Sequence, residues 1–250
     1  MDKDHCCCPP KSLPKYDFES SNKGTVSKIG DADVYTVGDS PKVLIFLYDI
    51  YGLSGGRTKQ VCDQISSFGY TVVLPDILKG NAWKESVPVG PELYKWLSEI
   101  KYQPIEDYLL NTLIPNLKNN GKTAFAVAGT CFGSWVGLKV LGNSKDIKCG
   151  ISFHPSYKVE EMQGGKVEDI AVKVKQPHLI VPAQNDPDNV KNGGEIVKIL
   201  EQSSGNKVEV AEMNDVQHGF FVRGDLKDEV VFKRVEQSLT LTKEFLGKYL

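Results

Sequence analysis

The chain predicts an α/β protein in which a mostly parallel sheet of about eight strands carries helices on both faces. Three observations predict it. Short apolar runs alternate with amphipathic segments along almost the whole length; several runs are continuously apolar, as strands buried on both faces require; and one leads through a glycine-flanked turn directly into a helical pattern. With 250 residues, 40% of them hydrophobic and 25% charged, the chain can bury a core that needs no disulfide or metal staple. The expected organisation is a tail over 1–20 and one domain over 21–250.

Taken in order, Thr25 to Ile29 and Ala32 to Val37 read as a short antiparallel pair about the turn dipeptide Gly30-Asp31. The run Lys42 to Tyr48 reads as a central strand, followed by a loop over Asp49 to Gly56 and an amphipathic helix from about Arg57 to Phe68. Tyr70 to Leu74 is a further buried strand. Asp76 to Pro91, with Gly80, Pro88, Gly90 and Pro91 and no clear period, is a loop or small cap. Helical patterns then cover Glu92 to Ile100 and Ile105 to Asn119. After the strand Ala124 to Ala128 come a helix Phe132 to Leu141 and strands Lys148 to Phe153 and His178 to Pro182. A helix near Glu195 to Gln202, a strand Lys207 to Glu212 and a long helix Asp228 to Tyr249 complete the pattern. In such a sheet, ligands bind at the carboxyl ends of the strands.

A formal net charge of −2 without a basic cluster argues against nucleic acid or an anionic membrane as the main partner, and no apolar run approaches the length of a membrane span. A polar, proline-containing start, unlike a signal peptide, makes the cytosol the expected compartment. The partner expected is a small molecule, with the chain acting as a monomer or weak dimer. Neither a P-loop nor a G-x-G-x-x-G after a strand is present, so no cofactor and no metal are implied. Cys6-Cys7-Cys8 raises a soft-metal site or lipid attachment, but three adjacent cysteines cannot readily adopt zinc geometry, and Asp2 stands where myristoylation needs glycine.

The chemistry concentrates in Gly129-Thr130-Cys131-Phe132-Gly133, the cysteine version of the G-x-S-x-G elbow. Its glycines leave room where strand and helix pass closely, and a cysteine at a helix N-terminus is favoured as thiolate. A thiol nucleophile needs a base and the base an orienting acid, which in elbow-type enzymes follow in the order nucleophile, acid, histidine. Of four histidines, His218 follows the last predicted strand and precedes the final helix. His154, after the strand that follows the elbow, competes with it but precedes the candidate acids, and is read as packing or hydrogen-bonding within its loop. Asp186, just beyond the strand His178 to Pro182, is the first choice of acid, with Asp188 the alternative. An ionised Asp186 would fix the His218 tautomer and stabilise imidazolium as the thiol loses its proton.

At this point the chain resembles the dienelactone hydrolase (carboxymethylenebutenolidase) family, over nearly all its length. The resemblance rests on Tyr48-Asp49-Ile50-Tyr51-Gly52-Leu53, Val73-Leu74-Pro75-Asp76, the Cys131 elbow, Asn185-Asp186 and His218-Gly219-Phe220-Phe221-Val222-Arg223-Gly224-Asp225, in this order. It implies the α/β-hydrolase fold and a Cys131, His218, Asp186 triad that cleaves a lactone or carboxylic ester through an acyl-enzyme. It further implies an oxyanion hole from the backbone N–H groups of Ile50 and Phe132. Asp49 takes the place of a glutamate that accepts the cysteine proton in bacterial members. Arg223 matches one of two arginines that bind a substrate carboxylate there; the other has only Lys79 and Lys84 nearby, so true dienelactone specificity is not expected. Ser134 replaces a usual glycine, a change the first helix turn should tolerate. Trp83, Tyr94, Trp96, Tyr51 and Phe132 are read mostly as core, with one or two walling an apolar pocket. A thioesterase, a ligand-binding module without turnover and a thiol-redox protein are the alternatives.

Overall fold

Eight strands follow the apolar runs: β1 (Thr25–Ile29), β2 (Ala32–Val37), β3 (Lys42–Leu47), β4 (Thr71–Pro75), β5 (Ala124–Thr130), β6 (Ile147–Phe153), β7 (His178–Val181) and β8 (Val208–Val210). They belong to a computed structural model that describes residues 22–250; the tail, with Cys6, Cys7 and Cys8, lies outside the described residues. The strands form one sheet in the order β1-β2-β4-β3-β5-β6-β7-β8. β1 pairs antiparallel with β2, and β2 with β4; every other pairing is parallel. Burial explains the residue choice. All five residues of β4 and five of the six in β3 are buried, whereas four of the five in the edge strand β1 are exposed.

From β3 the chain runs to β4 on one side, and the next strand, β5, lies on the other. The sheet therefore has its switch point between β3 and β5, where a crevice opens at the carboxyl ends. Asp49 and Ile50 follow β3 there, and Cys131 follows β5.

Ten α-helical segments are described: α1 (Thr58–Ser66), α2 (Pro91–Glu99), α3 (Tyr102–Tyr108), α4 (Ile114–Asn119), α5 (Phe132–Asn143), α6 (Val159–Met162), α7 (Val167–Ala171), α8 (Glu195–Ser204), α9 (Phe220–Arg223) and α10 (Glu229–Tyr249). They cover both faces of the sheet, with α1 packed on α10, and α5 packed on β5, β6 and α7. The helix predicted over Ile105 to Asn119 starts earlier and is interrupted. A π turn over Leu109–Leu113 separates α3 from α4, and the Ile114 N–H donates to the Leu109 carbonyl, five residues back. Pro115 is the physical reason: lacking an N–H and crowding the preceding turn, it widens the helix ahead of itself. The short helices α6, α7 and α9 have too few turns to show a period in sequence. None of the helices among the described residues is long and apolar enough to cross a membrane.

Two glycines govern the junction of β5 and α5. A Cβ on Gly129 would lie 2.2 Å from the Gly133 carbonyl oxygen, and one on Gly133 2.2 Å from that of Leu47 in β3. Both distances are far inside van der Waals contact with backbone that cannot move aside. Gly137, one turn on, differs: its added Cβ would meet Val127 Cγ2 at 3.5 Å and Leu47 Cδ1 at 3.7 Å, ordinary contacts. Gly133→Ala should therefore destabilise by more than about 3 kcal/mol, lowering the melting temperature by roughly 6–12 °C or preventing folding. Gly137→Ala should be neutral or stabilise by up to about 1 kcal/mol through helix propensity. Thermal melts of the two variants side by side check the pair.

Candidate active site

Cys131 sits between β5 and α5 with φ 52° and ψ −116°, a conformation that non-glycine residues adopt at some cost and that surrounding structure must impose. The imposed contacts are visible. The Cys131 N–H donates to the Phe153 carbonyl at 3.1 Å, and its own carbonyl accepts from Ser134 at 3.0 Å and Ser156 at 3.2 Å. The expected tolerance of Ser134 has a specific cause: its buried hydroxyl donates to the Gly129 carbonyl at 2.7 Å, stapling the elbow from inside the first helical turn. Cys131 is 2% exposed, and its sulfur lies 3.3 Å from the Ser156 hydroxyl oxygen.

His218 is carried by a loop fastened to the loop after β7. Ala183 and Met213 form an isolated parallel bridge, the Gln184 N–H donates to the Val216 carbonyl at 2.9 Å, and the His218 N–H donates to Asn185 Oδ1 at 2.7 Å. Within this clasp His218 Nδ1 meets Asp186 Oδ1 at 2.6 Å, both residues buried. The other carboxylate oxygen of Asp186 accepts the Ala183 N–H at 2.7 Å, which fixes its plane. Asp188 is elsewhere, its side chain 97% exposed and paired with Lys191. Of the two candidate acids, the structure brings only Asp186 to the histidine. Burial by itself would lower the His218 pKa; the Asp186 carboxylate and the Cys131 sulfur reverse that and raise it to about 10. His218 Nε2 makes no hydrogen bond of standard geometry to protein, yet its ring interacts with the Cys131 sulfur.

Ile50 and Phe132 follow the ends of β3 and β5, and the N–H of each has no accepting partner among the described residues. For Phe132 this is the ordinary state of a first helical N–H. Asp49 is buried and accepts the Tyr51 N–H at 2.9 Å. Burial raises its pKa, while the nearby charges of Arg223 and His218 pull the other way. Arg223, in α9, is also buried; its guanidinium lies 3.8 Å from the Tyr51 ring centre and donates to Glu85 at 3.1 Å.

A cleft of about 180 Å³ reaches His218 and Asp186 between walls that include Pro155, Ser156, Tyr157, Val167, Pro187 and Val190. Trp83, Tyr94, Trp96, Tyr51 and Phe132 are not among these lining residues, and the core packing expected of most of them is seen. Trp83, Trp96, Phe132 and Trp135 pack in a chain with ring centres 5.6, 6.4 and 5.4 Å apart, burying one another. His154 does pack, edge to face on His218 at 4.8 Å between ring centres. Packing is thus the one of its two expected roles that is seen, since neither ring nitrogen has a hydrogen-bond partner among the described residues. Burial, then the charge of His218, pushes its pKa well down, so it stays neutral beside a cationic neighbour. No cluster of three or more His, Cys, Asp or Glu arranged to hold a metal ion occurs among the described residues.

A family model described as "Dienelactone hydrolase family" matches residues 32–250. The hydrolase tropI of Talaromyces stipitatus is 26% identical over 242 residues, covering 91% of each chain. The human carboxymethylenebutenolidase homolog is 25% identical over 190 residues, 74% of this chain and 73% of its own. Among solved structures, a dienelactone hydrolase-like promiscuous phosphotriesterase from metagenomic libraries superposes with a TM-score of 0.67 at 10% identity, covering 91% of this chain and 99% of its own. At that identity the likeness is one of fold.

Two residues beside the site are not singled out by sequence. Ser156 touches the thiol only because β6 ends next to β5. Arg57, 2% exposed, clamps the short helix that follows His218. Its Nε donates to the Phe221 carbonyl at 2.9 Å and its Nη2 to that of Phe220 at 2.5 Å, Nη1 reaches the Gly224 carbonyl, and its own N–H donates to Val222 at 2.8 Å. A four-residue helix satisfies few of its own carbonyls; Phe220 also accepts the Gly224 N–H at 3.0 Å, and Arg57 gathers the rest of this turn. Arg57→Lys keeps the charge but not the fork, so stability should fall by about 2 kcal/mol, or roughly 4–8 °C. Hydrolytic activity should fall with it as His218 loses its support; melts and ester assays of the variant check both.

Proposed function

The chain belongs to the dienelactone hydrolase family and is a hydrolase of esters or lactones, and on that premise we propose that Cys131, His218 and Asp186 act as nucleophile, base and orienting acid. The observation that carries this reading is the 2.6 Å contact of Asp186 with a ring that also interacts with the sulfur at the apex of the strained elbow. The thiol proton passes to His218 Nε2 while the sulfur attacks the carbonyl carbon. The N–H groups of Ile50 and Phe132 receive the negative oxygen of the tetrahedral intermediate, where fixed donors need no reorganisation. As the carbon–oxygen bond breaks, His218 returns the proton to the departing alkoxide. From a lactone, that alkoxide becomes a hydroxyl still tethered to the acyl group. Water, deprotonated by His218, then attacks the thioester, and the thiolate leaves and recovers its proton.

The charges favour this sequence of steps. Against the desolvation that lowers it, the His218 pKa is held up by Asp186 and then by Cys131, which favours transfer of the thiol proton to the ring as the sulfur attacks. Once the sulfur is acylated it carries no charge, and its share of the upward shift disappears. His218 then becomes easier to deprotonate at the step that needs a base.

Cys131→Ala should lower ester hydrolysis by about a thousandfold or more, with the fold intact by circular dichroism. Full activity in that variant refutes the assignment. Alkylating Cys131 with iodoacetamide should lower the His218 pKa, because a thioether cannot supply the thiolate charge. The ring titration followed by NMR in the free and alkylated protein measures that change; an unchanged or rising value contradicts the coupling.

A further inference from the structure

The segment 76–90 between β4 and α2 is fastened to the loop after β3 and to α9 by named contacts. The Trp83 N–H donates to the Ile50 carbonyl at 2.8 Å, which ties the segment to the residue assigned as an oxyanion donor. Two positions further on, Glu85 accepts from Arg223 Nη1 at 3.1 Å. The Arg223 side chain is only 8% exposed, while that of Glu85 is 42% exposed. One face of the guanidinium is against the Tyr51 ring. From the interior, the charges of Arg223, His218 and Glu85 all act on the Asp49 carboxyl. A single buried guanidinium thus holds one carboxylate, Glu85, in a charge-assisted bond on its solvent side, and its charge also acts on a second, the buried Asp49. On the cleft wall the lysine, Lys158, is accompanied three residues on by Glu161. A substrate carboxylate seeking Arg223 would have to expel Glu85 from a charge-assisted bond, or stand as a further anion around one cation.

We propose that Glu85 sets the charge class of the substrate: capping Arg223 as a built-in counter-ion, it reserves the site for esters and lactones whose acyl groups are uncharged. This rests on the assignment of Cys131 and deepens it, since it names what the acyl group must lack. Glu85 acts through Arg223 and touches no reacting atom, so it is a specificity residue and not a catalytic one.

The test uses two esters of similar length, para-nitrophenyl valerate and mono-para-nitrophenyl glutarate, the second ending in a carboxylate. The unmodified protein should favour the valerate. Glu85→Gln should raise the ratio of kcat/KM for glutarate over valerate about tenfold, mainly through KM, because the guanidinium regains a vacant charged partner site. Adding Arg223→Gln should erase the gain. A ratio in Glu85→Gln within about twofold of the unmodified protein, or a gain that survives in the double variant, overturns the proposal. A purely mechanical strap would shift the melting temperature of Glu85→Gln and leave the ratio alone. Free glutarate gives a measurement that needs no variant: strong competitive inhibition of the unmodified protein overturns the proposal, and weak inhibition supports it. Undiminished hydrolysis of both esters by Cys131→Ala would instead refute the nucleophile assignment, a result distinct from any of these.

Discussion

The molecule is arranged around one steric fact, that the backbone of α5 passes within touching distance of the carbonyls ending β3. Gly133 has no room for a side chain because Leu47 and Tyr48 occupy that space, and Gly129 has none because Gly133 does. Such closeness is what turns the chain sharply enough to lift Cys131 out of the sheet plane into a left-handed backbone conformation. It also brings the start of α5 against the end of β3, just before Asp49 and Ile50. A looser junction would leave the same residues in the same order and no shared focus for them.

Around that focus, the remaining side chains are positioned by loops that hold one another. The loops after β7 and β8 are joined by Gln184 to Val216 and Asn185 to His218, which holds Asp186 and His218 in one fastened unit. The site is also dry: Cys131, Asp186, His218 and His154 are each under 5% exposed. In such surroundings a charge depends on its immediate neighbours, and the His218 pKa is set by Asp186 and Cys131 against the burial that would lower it. His154 contributes by remaining neutral, an imidazole that fills space against His218 without adding a second positive charge.

How much of this could be read in the residues depends on the range of the physics involved. The central strands are legible because burial on both faces writes itself as a continuous apolar run, as in Lys42–Leu47. The edge strand β8 is shorter than its run suggests, Val208–Val210 against Lys207 to Glu212, because it has a partner on one side only. Cys131 and His218 announce themselves by glycine spacing and by chain order. Asp186 and Asp188 are two residues apart, and what separates them is one turn of backbone that buries the first and exposes the second. Arg57 and Glu85 leave no local mark at all. The partners of Arg57 are main-chain carbonyls more than 160 positions away, and Glu85 looks like any acidic loop residue until Arg223 is placed beside it.

The Arg57 clamp has a bearing on how the protein comes into being. The guanidinium and the carbonyls it gathers are 163 to 167 positions apart, so synthesis delivers the donor long before any of its acceptors exists. A buried guanidinium without acceptors is costly, and the start of α1 therefore cannot reach its final, closed packing until the segment after His218 has been made and docked against it. The two ends of the domain are in this way completed together.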